Sequence, residues 1–412
     1  MKYGVIGEHL KHSFSKEIHA KIADYEYIIK EIEPEKLEAF MKEKDFLGIN
    51  VTIPYKEKVI PYLDFISDNA KKIGAVNTIV NRNGKLYGYN TDYMGLRALI
   101  LRNKIEIKDK KVLILGGGGT SKTARVVISD MGAREIIRVG RAHEEPDVTY
   151  EDVYRLHSDA EFILNTTPVG MYPGNDGRII DVSRFENLEG LIDVVYNPLR
   201  TNIVLDAKEN GIKAESGLYM LSSQAVFASE IFLDTKYDKS VEVETFNKVF
   251  KEKENIVLTG MPSSGKTTVG MYISSNLGRE FVDTDDLIIE KIKMPIAEYF
   301  KQYGEESFRN VETEVIEEVS KRNGLVIATG GGAILRDINV RRLKQNGTIY
   351  FLNRTLDLLI PTDSRPLSSD RDALKKRYEE RYPKYIKSAD VVVPANGMVR
   401  QVGEIIIGDF CK

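Results

Sequence analysis

The residues most plainly arranged for chemistry are Gly260-Met261-Pro262-Ser263-Ser264-Gly265-Lys266-Thr267, which fit the pattern Gly-x-x-x-x-Gly-Lys-[Ser/Thr]. A predicted strand, Asn255–Thr259, leads in, and a helix with Val269, Tyr272, Ile273 and Leu277 on one face leads out. Glycines let successive backbone N–H groups curl round a phosphate, and the helix N-terminus adds partial positive charge. Lys266 suits the β- and γ-phosphates of a nucleoside triphosphate, and Thr267 suits Mg²⁺. A plain glycine turn, the alternative, has little weight in that context.

The residues C-terminal to this loop narrow the reaction. Phe281-Val282-Asp283-Thr284-Asp285 ends a predicted strand in two carboxylates at i and i+2, which places them on one side of the strand. Two acids beside a phosphate site can hold a metal and orient a hydroxyl. Gly304-Glu305-Glu306-Ser307-Phe308-Arg309, with Glu312 beyond it, puts an arginine in the first turns of a helix. Gly330-Gly331-Gly332 comes directly after a predicted strand, so bare backbone can approach a small ligand. Arg365, in Ser364-Arg365-Pro366-Leu367, and Arg381, in Arg381-Tyr382-Pro383-Lys384-Tyr385, add two more cations. Singly, each arginine reads as a solvated surface charge. In this order beside the glycine loop, they suit a carboxylate substrate and the charge that develops in phosphoryl transfer.

A second glycine cluster lies upstream. The strand Val112–Leu115 runs into Gly116-Gly117-Gly118-Gly119-Thr120-Ser121 and then a helix. This fits Gly-x-Gly-x-x-Gly only loosely, because Ser121 takes the third glycine position, but strand–turn–helix is the dinucleotide-binding context. Arg141 comes after the next predicted strand. Arginine there suits a ribose 2′-phosphate, where an acid would suit a free hydroxyl, so NADP is favoured over NAD. A plain loop charge is the competing reading.

Earlier still, Ser13, Ser15, Asn50-Val51-Thr52, Lys56, Asn77-Thr78 and Asn90-Thr91-Asp92 form a polar set suited to a polyol acid. Lys56 and Asp92 are the pair with acid–base potential, since a neighbouring carboxylate favours a protonated lysine. Reducing a ketone needs a hydride donor and a proton donor to the forming alkoxide, and Lys56 suits the second task. His12 and His19 are expected to be structural or surface residues, because no third ligand follows at metal spacing.

These residues need elements to position them. Tyr3–Ile6, Tyr27–Ile32, Gly48–Ile53, Val112–Leu115, Ile136–Val139, Phe162–Leu164 and Leu191–Val195 read as buried strands. Helical spacing lies between them, as in Leu37, Phe40, Met41 and in Ala124, Val127, Ile128, Met131. Leu218, Leu221, Ala225, Ala228 and Phe232 form another helix stripe. Ile256–Leu258, Leu325–Ala328, Ile349–Leu352 and Val391–Val393 are the strands of a second α/β run. Phe246, Val249 and Phe250 mark a closing helix before a short linker at 251–254. The chain has 412 residues, 59 basic and 62 acidic, for a net charge of −3, which argues against a nucleic-acid-binding surface. With 42% hydrophobic and 29% charged residues it reads as a globular chain of two or three domains. No long apolar run and no secretory leader pattern are read, so no membrane partner and a cytoplasmic location are expected. The single cysteine, Cys411, excludes an internal disulfide.

On the glycine loop, FVDTD, GEESFR, TGGG, RPL and RYPKY in that order, residues 255–412 resemble shikimate kinase. The resemblance implies ATP as phosphoryl donor, with Gly260, Ser263, Ser264, Gly265, Lys266, Thr267 and Thr268 around it and Thr267 and Asp283 on the Mg²⁺ side. It also implies Asp285, Arg309, Gly330, Gly331, Gly332 and Arg381 around shikimate, and Lys266 and Arg365 on the transferring phosphoryl group. Residues 1–240 resemble shikimate dehydrogenase through HSFSKEIH, NVTIPYK, GAVNT, NTD, LGGGGTSKTA, NTTPVGM, DVVYNP and GLYMLSSQA. That resemblance implies shikimate bound by Ser13, Ser15, Thr52, Asn77, Asp92 and Gln224, with Tyr196 nearby and Lys56–Asp92 as the catalytic pair. It places Gly116, Gly117, Gly118, Gly119, Thr120, Arg141, Thr166 and Gly217 around NADP(H). The family commonly has Asn-Arg-Thr where this chain has Gly140-Arg141-Ala142.

The expected fold is α/β throughout: a substrate-binding domain over 1–100 with the 215–250 helices packing back, a Rossmann domain over 101–214, and a P-loop kinase domain over 255–412. The expected function is bifunctional, NADPH-dependent reduction of 3-dehydroshikimate followed by ATP-dependent phosphorylation of shikimate. The alternatives are a catalytically silent binding module in one half, or preference of the dehydrogenase for quinate.

Overall fold

The computed structural model describes residues 2–10, 14–144, 146–359 and 371–412. Of the expected site residues, Ser13 and Arg365 lie outside these, as do His12 and the rest of the RPL stretch. The chain divides into two compact units, Met1–Phe250 and Lys251–Lys412.

The first unit carries two six-stranded sheets. One is built from β1 (Tyr3–Gly7), β2 (Tyr27–Glu31), β3 (Gly48–Val51), β4 (Phe65–Ile66), β5 (Thr78–Arg82) and β6 (Lys85–Tyr89), in the order β2-β1-β3-β5-β6-β4. β1 pairs in parallel with β2 and β3, while β5 runs antiparallel to both β3 and β6. The β5–β6 hairpin turns at Asn83-Gly84, both at positive φ (54° and 81°), the turn that matches strand twist.

The other sheet is built from β7 (Lys111–Leu115), β8 (Glu135–Gly140), β9 (Val148–Thr149), β10 (Phe162–Asn165), β11 (Gly190–Asp193) and β12 (Lys213–Ser216). All its strands are parallel, in the doubly wound order β12-β11-β10-β7-β8-β9. Its strands are apolar on both faces because helices cover both. Val112 and Ile114 point into a core with Leu96, Val127 and Phe246, and Leu113 and Leu115 into another with Val153 and Val204. Each such side chain, fully buried, contributes about 1.5–3 kcal/mol.

The second unit has one parallel sheet of β13 (Asn255–Thr259), β14 (Phe281–Asp283), β15 (Val326–Ala328), β16 (Gly347–Asn353) and β17 (Val391–Pro394), ordered β14-β15-β13-β16-β17. Here too the period of two splits the cores, with Ile256 and Leu258 on one side and Val257 on the other.

Two sequence expectations need correction. Residues 251–253 are the last turn of the helix Ser240–Lys253, not part of an extended linker, and Glu254 alone separates that helix from β13. Phe246 and Val249, buried in the core of the first unit, hold the helix in place. The other correction concerns strands. β4, β5, β6, β9 and β12 have no counterpart among the expected strands, because they are short or mix polar with apolar residues. Among the described residues no helix is long and apolar enough to cross a membrane.

Candidate active sites

The first site sits where β3 and β5 hand over to loops. Tyr55 is fully buried and its hydroxyl donates to the Ile32 carbonyl, which pins the turn after β3. Lys56 comes next, its carbonyl accepting from Val76 N at 2.8 Å. From that anchored backbone Lys56 Nζ reaches Asp92 Oδ2 at 2.6 Å. The two side chains are 25% and 18% exposed, so the pair is open to a ligand without being fully solvated.

Asp92 lies in the first turn of the helix Thr91–Arg102, where a carboxylate favours the positive end of the helix dipole. Asn90 caps that helix, accepting from Tyr93 N at 3.1 Å. Asn77 Oδ1 accepts from Thr91 N at 2.7 Å, and Thr91 Oγ1 lies 3.2 Å from Gln224 Oε1. Gln224 comes from the helix Leu218–Leu233. A Cβ at Gly95 would stand 2.5 Å from the Met220 carbonyl, so glycine there lets the two helices close. Asn77, Asp92 and Gln224, far apart in sequence, thus meet around one helix N-terminus.

Ser15 opens the helix Ser15–Ile22, and the Tyr196 ring packs 5.4 Å from Phe14 beside it. Burial pushes the Tyr196 phenol up. Thr52 N donates to the Ile6 carbonyl at 3.0 Å, and Gly7 leaves room for the Thr52 methyl. His19 proves structural. It is fully buried, stacks on Tyr27 with ring centroids 3.9 Å apart, and is pushed down to about 3 by burial, so it is neutral.

The cofactor loop begins at the end of β7. Gly116 takes φ +100°, with Thr166 and Thr167 packed where its side chain would go. Thr166 stands just after β10, the neighbour of β7 at the point where strand order reverses, which is the usual ligand crevice of such sheets. Gly118 precedes the helix Gly119–Asp130. A Cβ at Gly118 or Gly119 would meet no atom within 4 Å, so the protein's own packing does not call for glycine there. Bare backbone at a helix N-terminus fits a pyrophosphate. Gly217 has a different reason: a side chain on it would overlap the Val194 carbonyl. Arg141 is exposed after β8, with its Nε 3.4 Å from Glu144 Oε1.

The phosphate loop of the second unit lines a cleft of about 300 Å³ with Ser263, Gly265, Lys266, Thr267, Thr268, Asp283, Asp285 and Thr329. Lys266 is buried and reaches the carbonyls of Gly260 (3.0 Å) and Met261 (3.1 Å). Thr267 Oγ1 donates to Asp283 Oδ2 at 2.8 Å. A hydroxyl and a carboxylate side by side are oxygen ligands fit for Mg²⁺, which takes one or two from protein and the rest from phosphate and water.

The placement of the two acids corrects the expectation that they share one side of a strand. β14 stops at Asp283, which caps the helix Thr284–Ile292 by accepting from Asp285 N at 3.0 Å. Asp285 therefore lies in a helical turn, with its Oδ1 2.6 Å from where a Gly330 Cβ would be, while both acids line the one cleft.

Arg309 stands one turn after a break at Gly304 (φ +81°) in the helix Ile296–Ser320, and is only 8% exposed. Its guanidinium fills the space that a Gly332 side chain would need. Glu312 Oε2 accepts from Arg309 at 2.7 Å, and Glu305 from the other edge at 3.1 Å. Burial opposes the Arg309 charge, but the two glutamates outweigh it and its pKa rises. Burial raises Glu312 too, against the pull of Arg309. Arg381 Nη1 donates to the Gly331 carbonyl at 3.0 Å, and burial lowers its pKa. Asp285, Arg309, Arg381 and the Gly330–Gly332 backbone thus converge.

Known proteins resemble both units of the chain. A family model described as the shikimate dehydrogenase substrate binding domain matches residues 5–79, and one described as shikimate kinase matches residues 262–408. The NADP(+) shikimate dehydrogenase of Clostridium beijerinckii is 39% identical over 256 residues, covering 58% of this chain and 94% of that protein. The chain belongs to the shikimate dehydrogenase family. Shikimate dehydrogenase 1 of Peptoclostridium difficile superposes with a TM-score of 0.55 at 38% identity, covering 60% of this chain and 98% of that one. The Thermus thermophilus shikimate 5-dehydrogenase, solved with NADP(H) and shikimate, gives 0.53 at 28% identity, covering 60% and 99%. Beyond this dehydrogenase part the chain carries a shikimate kinase domain.

Some contributors to both sites have no role in the sequence reading. In the kinase domain Glu312 is the buried counter-charge of Arg309, and its i, i+3 spacing is the available signal. The Tyr385 hydroxyl lies 2.6 Å from the Gly331 carbonyl and 2.9 Å from that of Gly260, joining the substrate loop to the phosphate loop. In the dehydrogenase part Asp193 is fully buried and pushed up to about 7 by burial. It accepts from Asn165 and Thr201, and Asn165 in turn accepts from Thr167 beside the glycine loop.

Proposed function

We infer that one chain catalyses two successive reactions: NADPH-dependent reduction of 3-dehydroshikimate to shikimate, then ATP-dependent phosphorylation of shikimate to shikimate 3-phosphate. The observation that carries the reading is that both polar constellations are assembled in the same chain, Lys56–Asp92 at 2.6 Å and Arg309–Glu312 at 2.7 Å beside Asp285.

In the first reaction NADPH, when bound against the glycine turn, would supply the hydride for the ketone carbon. Lys56 delivers a proton to the oxygen as negative charge develops there, and Asp92 holds the ammonium in place. Asn77, Thr52, Ser13, Ser15 and Gln224 hold the hydroxyls and carboxylate of the substrate, with Tyr196 nearby. The bare Gly116–Gly119 turn and Thr120 receive the pyrophosphate, Thr166 and Gly217 border the cofactor, and Arg141 receives the 2′-phosphate.

In the second reaction Asp285 orients the attacking hydroxyl, while Arg309 and Arg381 take the carboxylate of shikimate. Lys266 exchanges two neutral carbonyls for phosphate oxygens, a stronger charge-assisted contact. Ser263, Ser264, Gly265 and Thr268 line the phosphates, and Arg365 meets the transferring group. Thr267 and Asp283 would hold Mg²⁺, which supplies charge neutralisation between the phosphates when bound. The net charge of −3 is in keeping with small-molecule substrates and not nucleic acid.

A coupled assay on the full chain tests the reading. With 3-dehydroshikimate, NADPH and ATP–Mg²⁺ supplied together, both NADPH oxidation and shikimate 3-phosphate formation are expected. Absence of either product from the folded chain would leave that half a silent binding module. Faster NADP⁺ reduction with quinate than with shikimate would reassign the first substrate.

A further inference from the structure

At the end of β8 the place next to the glycine loop is already taken by a carboxylate of the chain itself. Glu144 folds back in a short turn over Ala142–Glu144, and its Oε2 accepts from Arg141 N at 3.1 Å. Its Oε1 lies 3.4 Å from Arg141 Nε and 3.9 Å from His143 Nε2. Arg138, two residues before the end of β8, donates to the Glu144 carbonyl at 3.2 Å. Arg138 Nη1 also lies 3.1 Å from where a Gly117 Cβ would be, so it spans from this turn to the glycine loop.

Gly140 is what admits the carboxylate. A side chain there would stand 2.9 Å from Glu144 Oε2 and 3.2 Å from Pro146. The acidic group thus engages both donors, a backbone N–H and a guanidinium, that an anion at the end of the second strand of such a sheet would use. A cofactor's ribose 2′-substituent arrives at that point.

We propose that Glu144 is an internal stand-in for the 2′-phosphate: NADP(H) binds by displacing its carboxylate from Arg141, and Glu144 thereby sets how strongly the dehydrogenase prefers NADP over NAD. The proposal rests on the reading of Arg141 as the cation that receives the 2′-phosphate. A carboxylate left within a few ångströms of a phosphate dianion repels it, whereas a neutral ribose hydroxyl can donate to the same carboxylate. One residue therefore weakens the phosphorylated cofactor and tolerates the other.

The test uses nucleotide fragments, so that it reads binding and not turnover. Calorimetric titration of the full chain with 2′,5′-ADP and with 5′-AMP is repeated on Glu144→Gln and on Arg141→Ala. Glutamine keeps an oxygen for Arg141 N and removes the charge. Glu144→Gln is expected to tighten 2′,5′-ADP by about tenfold, with 5′-AMP within about twofold, and the gain should shrink as salt is raised. If 2′,5′-ADP affinity is unchanged or weaker, or if both fragments shift together, Glu144 merely caps the turn and the proposal is wrong. Arg141→Ala separates the two ideas. If it lowers the ratio of 2′,5′-ADP to 5′-AMP affinity while Glu144→Gln does nothing, only the stand-in idea fails. If it leaves the ratio unchanged, the placement of the 2′-phosphate at Arg141 fails with it.

Discussion

Each unit of this chain sets a glycine-rich turn between a parallel strand and a helix, yet the two turns are built differently. In the kinase domain the glycines answer to the protein. A Cβ on Gly260 would meet Ser264, one on Gly330 would meet Asp285, and one on Gly332 would meet Arg309, so packing calls for glycine at all three. In the dehydrogenase a Cβ on the outer glycines, Gly118 and Gly119, would meet no atom within 4 Å, and Lys56 lies in the turn after a strand of the other sheet, against Asp92. On the proposed reading the phosphate loop carries chemistry itself, whereas the dinucleotide loop receives a cofactor and leaves the proton to a separate constellation. A motif's information content follows that difference: the first is self-sufficient, and the second needs its surroundings.

The comparison is most sharply tested by removing divalent metal. With chelator in excess, phosphorylation by the full chain is expected to stop while NADPH-dependent reduction stays within about twofold, because the proton donor of the first site is a side chain and the phosphates of the second need a counter-ion. Loss of reduction on chelation would break the contrast.

Next come the lysines. Lys56→Ala should lower reduction by about 10²–10⁴-fold with phosphorylation near wild type. Lys266→Ala should do the opposite, lowering phosphorylation by at least about 10²-fold. Separate rate measurements on one preparation decide it, and loss of both activities from either change, with the fold intact, would deny two independent sites.

Asp285→Asn probes the division between the two carboxylates. Phosphorylation is expected to fall by about 10²-fold with ATP affinity retained, since Asp283 lies against Thr267. ATP titration beside turnover checks this; a collapse of ATP binding would move Asp285 to the metal side.

The smallest effect belongs to the dinucleotide turn. Arg141→Asp should weaken NADPH by roughly one to two decades, or about 1.5–3 kcal/mol, and shift preference toward NADH. An unchanged ratio of the two dissociation constants would mean that Arg141 does not face the 2′-phosphate.

Much of the molecule is legible in its residues, for reasons that differ by element. Strands such as Val112–Leu115 and Ile256–Leu258 are covered on both faces, so they appear as unbroken apolar runs. The Lys266 motif is local and needs no partner to be seen. The β5–β6 hairpin has its turn signal in Asn83-Gly84, but β6 mixes charged and small residues with its apolar ones, which hides the strand. The roles of Asp283 and Asp285 are not separable by spacing, which cannot say where a strand stops and a helix begins. The capping bond to Asp285 N decides that: the first acid ends the strand and the second lies in the helix.

The sequence by itself determined the chemistry on offer: which cations, carboxylates and glycines exist, in what order, and between which kinds of element. Tertiary structure decided which distant residues meet and which near ones are buried. Asn77, Asp92 and Gln224 come together because Gly95 lets two helices close, and the i, i+3 pair Arg309–Glu312 is buried because it packs against Gly330–Gly332. Glu144 reaches Arg141 only because Gly140 leaves room for it. The physical reason is that backbone periodicity is local and shows in a short window of residues, so an i, i+3 spacing is visible in sequence, whereas whether such a pair is buried, or whether distant side chains meet, depends on how closely packed segments approach.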